Sequence, residues 1–259
     1  MKTARVRING RIEQVTVNDD YSIIGTDGNI WQEDEIIWLP PQHGTVFALG
    51  LNYVDHAAEL AFKAPEEPLL FLKTPNTFTG HRQRSYRPDN VEYMHYEAEL
   101  VAVIGKTARR VKQGEAMDYV GGYTLCNDYA VRDYLENYYR PNLRVKCRDS
   151  LSPLGPYIVD RDDIDDPHDL KLSTRVNGEL RQEGTTRDMV FDIPFLIEYL
   201  SAFMTLQPGD MISTGTPKGL SDVRPGDEVV VEVEQVGRLI NYVISEQEYF
   251  RGQGLGARD

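Results

Sequence analysis

Tyr96-Glu97-Ala98-Glu99-Leu100-Val101-Ala102-Val103-Ile104-Gly105 joins two acidic residues to an apolar run, and how it is read decides the fold. Glu97 to Ile104 is predicted as a strand that Gly105 ends. Alternation at period two then sends Glu97, Glu99, Val101 and Val103 to one face. Two neighbouring carboxylates on a face continued by valines repel each other and lose hydration, so they require protonation, basic partners or a metal ion. Read instead as a solvated edge strand, the same pattern requires none of these.

Working outward, Gly122 to Cys126 reads as a strand leading into a helix near Asp128 to Tyr138, with Asp128 at its start and Arg132 one turn further on. Upstream, Val46 to Gly50 and Leu69 to Lys73 read as short strands. Between them Tyr53 to Phe62 has helical spacing up to Pro65, which puts His56 and Glu59 on one helical face. Asn9-Gly10 and Asn177-Gly178 suit the positive dihedrals of tight hairpin turns, the first between Ala4–Ile8 and Arg11–Val17, the second between Leu172–Val176 and Glu179–Gln182. After Asp192, Ile193 to Met204 is predicted as a helix with Ile193, Leu196, Ile197, Leu200 and Phe203 on one side. Met211–Ser213, the loop Thr214-Gly215-Thr216-Pro217-Lys218-Gly219, and alternating segments at Glu228–Glu234 and Gly237–Ser245 complete the chain. These elements predict an α+β, β-dominated fold without the regular βαβ rhythm of a doubly wound sheet. Pro40-Pro41 marks the end of a small N-terminal β appendage, residues 1–45, ahead of a main domain spanning 46–259.

The 259 residues carry a formal net charge of −13, which argues against a nucleic-acid partner, because phosphate binding relies on clustered Lys and Arg. Met1 to Gly10 lacks an apolar run of signal-peptide length, and no segment approaches the roughly 20 apolar residues of a membrane span, so a cytoplasmic protein is expected. Cys126 and Cys147 are too few for a disulfide framework and lack metal-ligand spacing.

Asp128 follows a strand-like segment at an element boundary, and it reads either as a helix cap or as a third carboxylate beside Glu97 and Glu99. In the second reading the three make a hard oxygen site suited to Mg2+ or Mn2+ rather than zinc. His56 and Glu59, three apart, are either an exposed helix pair or an imidazole oriented by a carboxylate for proton transfer. Lys146, Arg148 and Asp149 form a charged cluster, either a surface loop or a source of charge for an oxyanion. The Thr214–Gly219 loop lacks P-loop spacing, and it is either a turn or a cradle whose backbone N–H groups and Thr216 hydroxyl receive a carboxylate.

Taken in order, Gly50-Leu51-Asn52-Tyr53-Val54-Asp55-His56-Ala57-Ala58-Glu59, Phe71-Leu72-Lys73-Thr74-Pro75, Tyr96-Glu97-Ala98-Glu99-Leu100, Asn127-Asp128, Arg132-Asp133 and Thr214-Gly215-Thr216-Pro217 resemble the fumarylacetoacetate hydrolase family over roughly Val46 to Ser245. The resemblance implies a mixed β-sandwich roll and a homodimer or higher homo-oligomer, with an N-terminal-type companion subunit as an open alternative. It implies Glu97, Glu99 and Asp128 as ligands of Mg2+ or Mn2+, and His56 and Glu59 on a lid helix. Lys146 is expected to stabilise an enolate, and Lys73, Arg132 and Thr216 to contact substrate. Within the family, Arg132 to Arg148 is most similar to members that isomerise and decarboxylate 2-oxo or 2-hydroxy-diene dicarboxylates and tricarboxylates, through a metal-bound enolate, in 4-hydroxyphenylacetate and homoprotocatechuate degradation. Leu135 stands where many hydrolase-type members carry Gln, which weakens the expectation of hydrolysis, and Arg148 adds charge for an extra substrate carboxylate. An acylpyruvate-type C–C hydrolase, an oxaloacetate decarboxylase and a non-catalytic partner subunit remain the alternatives.

Overall fold

The computed structural model describes residues 1–55, 66–135 and 143–252. The strand after the first glutamate runs Ala98–Ile104, and all of it is buried. On one face Leu100, Ala102 and Ile104 enter the main apolar core, and on the other Val101 and Val103 pack with Val46, Cys126, Leu154 and Met211. A strand covered on both faces reads as a continuous apolar run, as Leu100 to Ile104 does.

Ala98–Ile104 lies inside a twelve-stranded sheet, antiparallel to Val120–Asn127 on one side and to Met211–Ser213 on the other. Beyond Met211–Ser213 the sheet continues through Val46–Gly50 to Leu69–Lys73. In the other direction it passes through Ser152–Asp160 and Lys2–Ile8 to Arg11–Val17, Ile23–Ile24 and Ile30–Trp31. Residues 1–45 therefore share hydrogen bonding with the rest through Lys2–Ile8, and Ala4, Val6, Val15, Ile23 and Trp38 share its main core. A five-stranded sheet, ordered Glu179–Thr185, Lys171–Val176, Glu228–Val233, Gly237–Ser245, Gln83–Arg87, packs on the central strands of the large one. The core between the sheets joins Leu100, Tyr123 and Leu125 to Leu172, Val231 and Leu239. The fold is thus α+β and dominated by strands, with few helices.

Both expected hairpins form, with positive φ at Asn9 and Gly10 and at Asn177 and Gly178. The helix Ile193–Phe203 is capped by Asp192, whose side chain accepts from the Phe195 N–H at 2.8 Å, and it buries Ile193, Leu196, Ile197 and Leu200. Phe203, expected on that buried side, is exposed: it is the last helical residue and stacks edge-on against Tyr199 instead. The helix expected near Asp128 to Tyr138 does not form at its predicted start. Tyr129 turns the chain so that Ala130–Val131 pairs with Met94–His95, and a 3-10 turn, Arg132–Tyr134, follows; residues 136–138 of the predicted helix lie outside the described residues. Partners distant in sequence for these extended-prone residues outweigh the local helical spacing. The predicted helix Tyr53–Phe62 falls mostly on residues 56–65, outside the described residues.

Candidate active site

Strand pairing brings the acidic residues together. The N–H of Asp128 donates to the carbonyl of Glu97 at 3.0 Å, extending the ladder in which Glu99 faces Cys126 and Ala98 faces Asn127. The Asn127 side chain accepts from the Glu97 N–H at 3.0 Å and so fixes the backbone where the first glutamate leaves the sheet. One carboxylate oxygen from each of Glu97, Glu99 and Asp128 then lies within 4.8 Å of the others, and all three residues are buried.

Two lysines compensate part of this charge. Lys146 Nζ lies 2.6 Å from Glu97 Oε2 and 3.0 Å from Asp128 Oδ2, and it also donates to the Asp128 carbonyl. Lys73 Nζ lies 2.6 Å from Asp128 Oδ1 and donates to the Lys146 carbonyl. Burial works against the charged form of Lys146, but the carboxylates of Asp128, Glu97 and Glu99 outweigh it and hold the ammonium protonated well above its ordinary range. Glu99 is pushed the other way: burial first, then the charges of Asp128 and Glu97, raise it well above the usual carboxylate range, against Lys146 and Ser213. Its Oε2 accepts from Ser213 Oγ at 2.5 Å and from the Gly215 N–H at 3.2 Å, whereas its Oε1 is buried with no hydrogen-bond partner among the described residues. A buried carboxylate oxygen left unpaired is costly. An all-oxygen set of three convergent carboxylates with one such orphan fits a hard divalent cation of the Mg2+ or Mn2+ kind. The thiol of Cys126 beside them is pushed up by burial and by Asp128 and Glu99, so it offers no thiolate.

The loop from Thr214 to Gly219 is built against this cluster. Asn52 donates to the carbonyls of Thr214 at 2.8 Å and Phe191 at 3.1 Å, and accepts from the Phe191 N–H at 2.9 Å. Gly215 sits at φ +87, and a Cβ there would lie 3.0 Å from Asn52 Cβ and 3.4 Å from the Leu49 carbonyl. Glycine is required by both conformation and space. Thr216, buried in the same loop, receives a hydrogen bond at 2.9 Å from Gln182.

The structure thus joins Glu97, Glu99, Asp128, Lys73 and Lys146 directly, with Thr216 one residue beyond Gly215. It does not join Arg132 or Arg148 to them. Among the described residues no hydrogen bond or ion pair ties the Arg132 side chain to the carboxylates. The Arg148 guanidinium lies 4.8 Å from the centre of the Tyr134 ring, on which Arg144 also stacks at 3.9 Å. Arg148 also donates through Nε to the Arg144 carbonyl at 3.0 Å, so both arginines are engaged at Tyr134 while Lys146 reaches the carboxylates. His56 and Glu59 lie outside the described residues. Sequence reasoning gave Gln182 and Ser213 no role, and it quoted Asn52 and Asn127 only as parts of the motifs. Ser213 precedes the noted loop and shares a strand face with Val101 and Glu99, a signal that register alone would have given.

A family model described as fumarylacetoacetate (FAA) hydrolase C-terminal matches residues 45–244. A 4-hydroxyphenylacetate degradation bifunctional isomerase/decarboxylase from Salmonella dublin is 71% identical over 210 residues, 81% of this chain and 49% of the relative. The chain spans about half the length of such curated relatives. A crystal structure of 5-carboxymethyl-2-hydroxymuconate delta-isomerase from Mycobacterium smegmatis superposes with a TM-score of 0.84 at 35% identity, covering 95% of this chain and 99% of that one. A fumarylpyruvate hydrolase from Pseudomonas aeruginosa, solved in complex with Mn2+ and pyruvate, has a TM-score of 0.74 at 30% identity over 80% of this chain and 91% of that one.

Proposed function

The chain belongs to the fumarylacetoacetate hydrolase family, and from that premise we propose that it is a divalent-metal-dependent isomerase and decarboxylase of 2-oxo and 2-hydroxy-diene dicarboxylates or tricarboxylates in 4-hydroxyphenylacetate and homoprotocatechuate degradation. The observation that carries this reading is the buried convergence of Glu97, Glu99 and Asp128, with one oxygen unpartnered among the described residues and a charged Lys146 alongside. In it, Glu97, Glu99 and Asp128 hold Mg2+ or Mn2+. The bound ion supplies Lewis acidity to the carboxylate and adjacent 2-oxygen of the substrate.

The remaining work falls to the side chains. Lys146, held protonated by its carboxylate neighbours, offers a fixed positive charge to the negative charge that develops on the 2-oxygen as CO2 leaves or as a proton moves. Its rigid, buried setting means that no solvent must reorganise at that moment. Lys73 and Thr216 contact the anionic substrate, Lys73 by charge and Thr216 by hydrogen bonding. Arg132 is assigned to the same role, and Arg148 to a further carboxylate, which requires its guanidinium to leave the Tyr134 ring. Proton delivery is assigned to His56 and Glu59 on the strength of their spacing and the family pattern. Residues 46–259 carry the chemistry, and 1–45 form the appendage. The enzyme acts as a homodimer or higher homo-oligomer, and a companion subunit would correspond to the half of the longer relatives that the match does not cover.

Incubation with Mg2+ and each candidate acid, following CO2 release, isomer formation and C–C cleavage separately, tests this reading. CO2 release or isomerisation is expected. Cleavage of an acylpyruvate without CO2 would place the chain with the hydrolases. A Glu97→Gln variant is expected to lose both metal affinity and turnover, and wild-type levels of both would refute the assignment.

A further inference from the structure

Gln182 lies in the strand Glu179–Thr185, far in sequence from every acidic residue of the site, yet it is buried and uses its whole hydrogen-bonding capacity. Its Oε1 accepts from the Ala98 N–H at 3.3 Å and from Thr174 Oγ1 at 2.8 Å. Its Nε2 donates to the Pro217 carbonyl at 2.8 Å and to Thr216 Oγ1 at 2.9 Å. The amide has only one workable orientation, because the Ala98 N–H can only donate and the Pro217 carbonyl can only accept. Thr216 Oγ1 is therefore fixed as the acceptor of an amide proton, and its own proton is left to be given elsewhere. Among the described residues no protein group accepts it. Ala98, the residue between the two glutamates, and Thr216, the residue after the glycine that binds Glu99, are thus tied through one side chain.

We propose that Gln182 is a positioning residue that orients the Thr216 hydroxyl as a hydrogen-bond donor to the carboxylate of a 2-oxo acid in the site. This rests on the reading of Thr216 as a substrate contact, and the test separates the two. Pyruvate serves as the probe, its affinity measured by titration calorimetry on the full chain in saturating Mg2+, for the wild type, Thr216→Val, Gln182→Glu, Gln182→Met and both double variants. Glu at 182 accepts the Thr216 proton instead of donating, and Met removes the donation without adding charge.

Thr216→Val is expected to weaken pyruvate binding about ten- to hundredfold, the range for a hydrogen bond to a charged group. Gln182→Glu and Gln182→Met are each expected to weaken it about tenfold or more, with little further loss in the Thr216→Val background. Mg2+ affinity, measured separately, is expected to survive in Gln182→Met. Wild-type pyruvate affinity in a folded Gln182 variant, or losses that multiply with that of Thr216→Val, would overturn the proposal while leaving Thr216 as a contact. An unchanged Thr216→Val would overturn the Thr216 contact, and the role of Gln182 with it.

Discussion

Replacing Lys146 by Met keeps most of the side chain's volume and deletes its charge. The ammonium it removes is 2.6 Å from Glu97 and 3.0 Å from Asp128, with the side chain only 9% exposed. Breaking a buried ion pair from one side costs about 3–5 kcal/mol, because the partner carboxylates are left without compensation. Uptake of a proton by the cluster limits the loss, at about 1.4 kcal/mol for each unit of pKa change, so the lower part of that range is expected. With a chain of this size losing about 2–4 °C of melting temperature per kcal/mol, the variant should melt roughly 6–12 °C below the wild type in EDTA. Adding Mg2+ should then raise its melting temperature more than that of the wild type, since a cation restores the compensation that the lysine gave. Turnover should fall by about 100-fold or more even in saturating Mg2+, the scale of losing one preorganised electrostatic group. Thermal unfolding with and without Mg2+, paired with CO2 release, reads all three. Melting within about 2 °C of the wild type together with unchanged turnover would show that Lys146 neither neutralises the cluster nor acts on the substrate.

Two further perturbations probe the scaffold. Gly215→Ala forces a side chain into a left-handed conformation and against Asn52, so a loss of about 1–2 kcal/mol and reduced turnover are expected, and an equally stable, fully active variant would remove the loop from the site. Glu33 is held at about 2 by the His81 imidazole, 3.4 Å away, and by Arg82, 2.9 Å away, against the effect of burial. His81 Nδ1 accepts from the Ile240 N–H, so its Nε2 carries the proton that faces Glu33. A carboxyl depressed on folding contributes stability above its ordinary value of 4.5, and that contribution is lost as pH falls through about 2. Because Glu33 is partly exposed, screening trims it to about 1 kcal/mol. Glu33→Gln should therefore lower the urea midpoint at pH 7 but leave it nearly unchanged near pH 2, and an equal loss at both would contradict the ion pair.

What was legible in the sequence was what local periodicity controls. Period two places Glu97 and Glu99 on one face whatever surrounds them, and Asn-Gly pairs force hairpins wherever strands flank them. The apolar run Leu100 to Ile104 marked a strand, and its cover on both faces comes from the packed structure. Asp128 was legible as an element boundary but not in its conformation, because Ala130 and Val131 find their partners at His95 and Met94, more than thirty residues upstream. The ordered motifs pointed to Lys73, Lys146 and Thr216, whereas spacing alone left each of them ambiguous. Gln182 was illegible. Its strand is mostly exposed, and although the Asn177-Gly178 hairpin sets Thr174 opposite it, its importance comes from contacts with Ala98 and Pro217 that only the packed fold brings together. Arg148 shows the converse, since a charge close in sequence to Lys146 lies beyond the end of the short helix and stacks on Tyr134.

The decisive measurement is a crystal structure of the protein soaked with Mn2+, with diffraction recorded at the manganese absorption edge. A single anomalous peak is expected at about 2.1 Å from one carboxylate oxygen each of Glu97, Glu99 and Asp128, including the Glu99 Oε1 that has no partner among the described residues. A peak held by other residues, or none there while Lys73 and Lys146 stay paired with the three carboxylates, would contradict the metal site and the chemistry built on it.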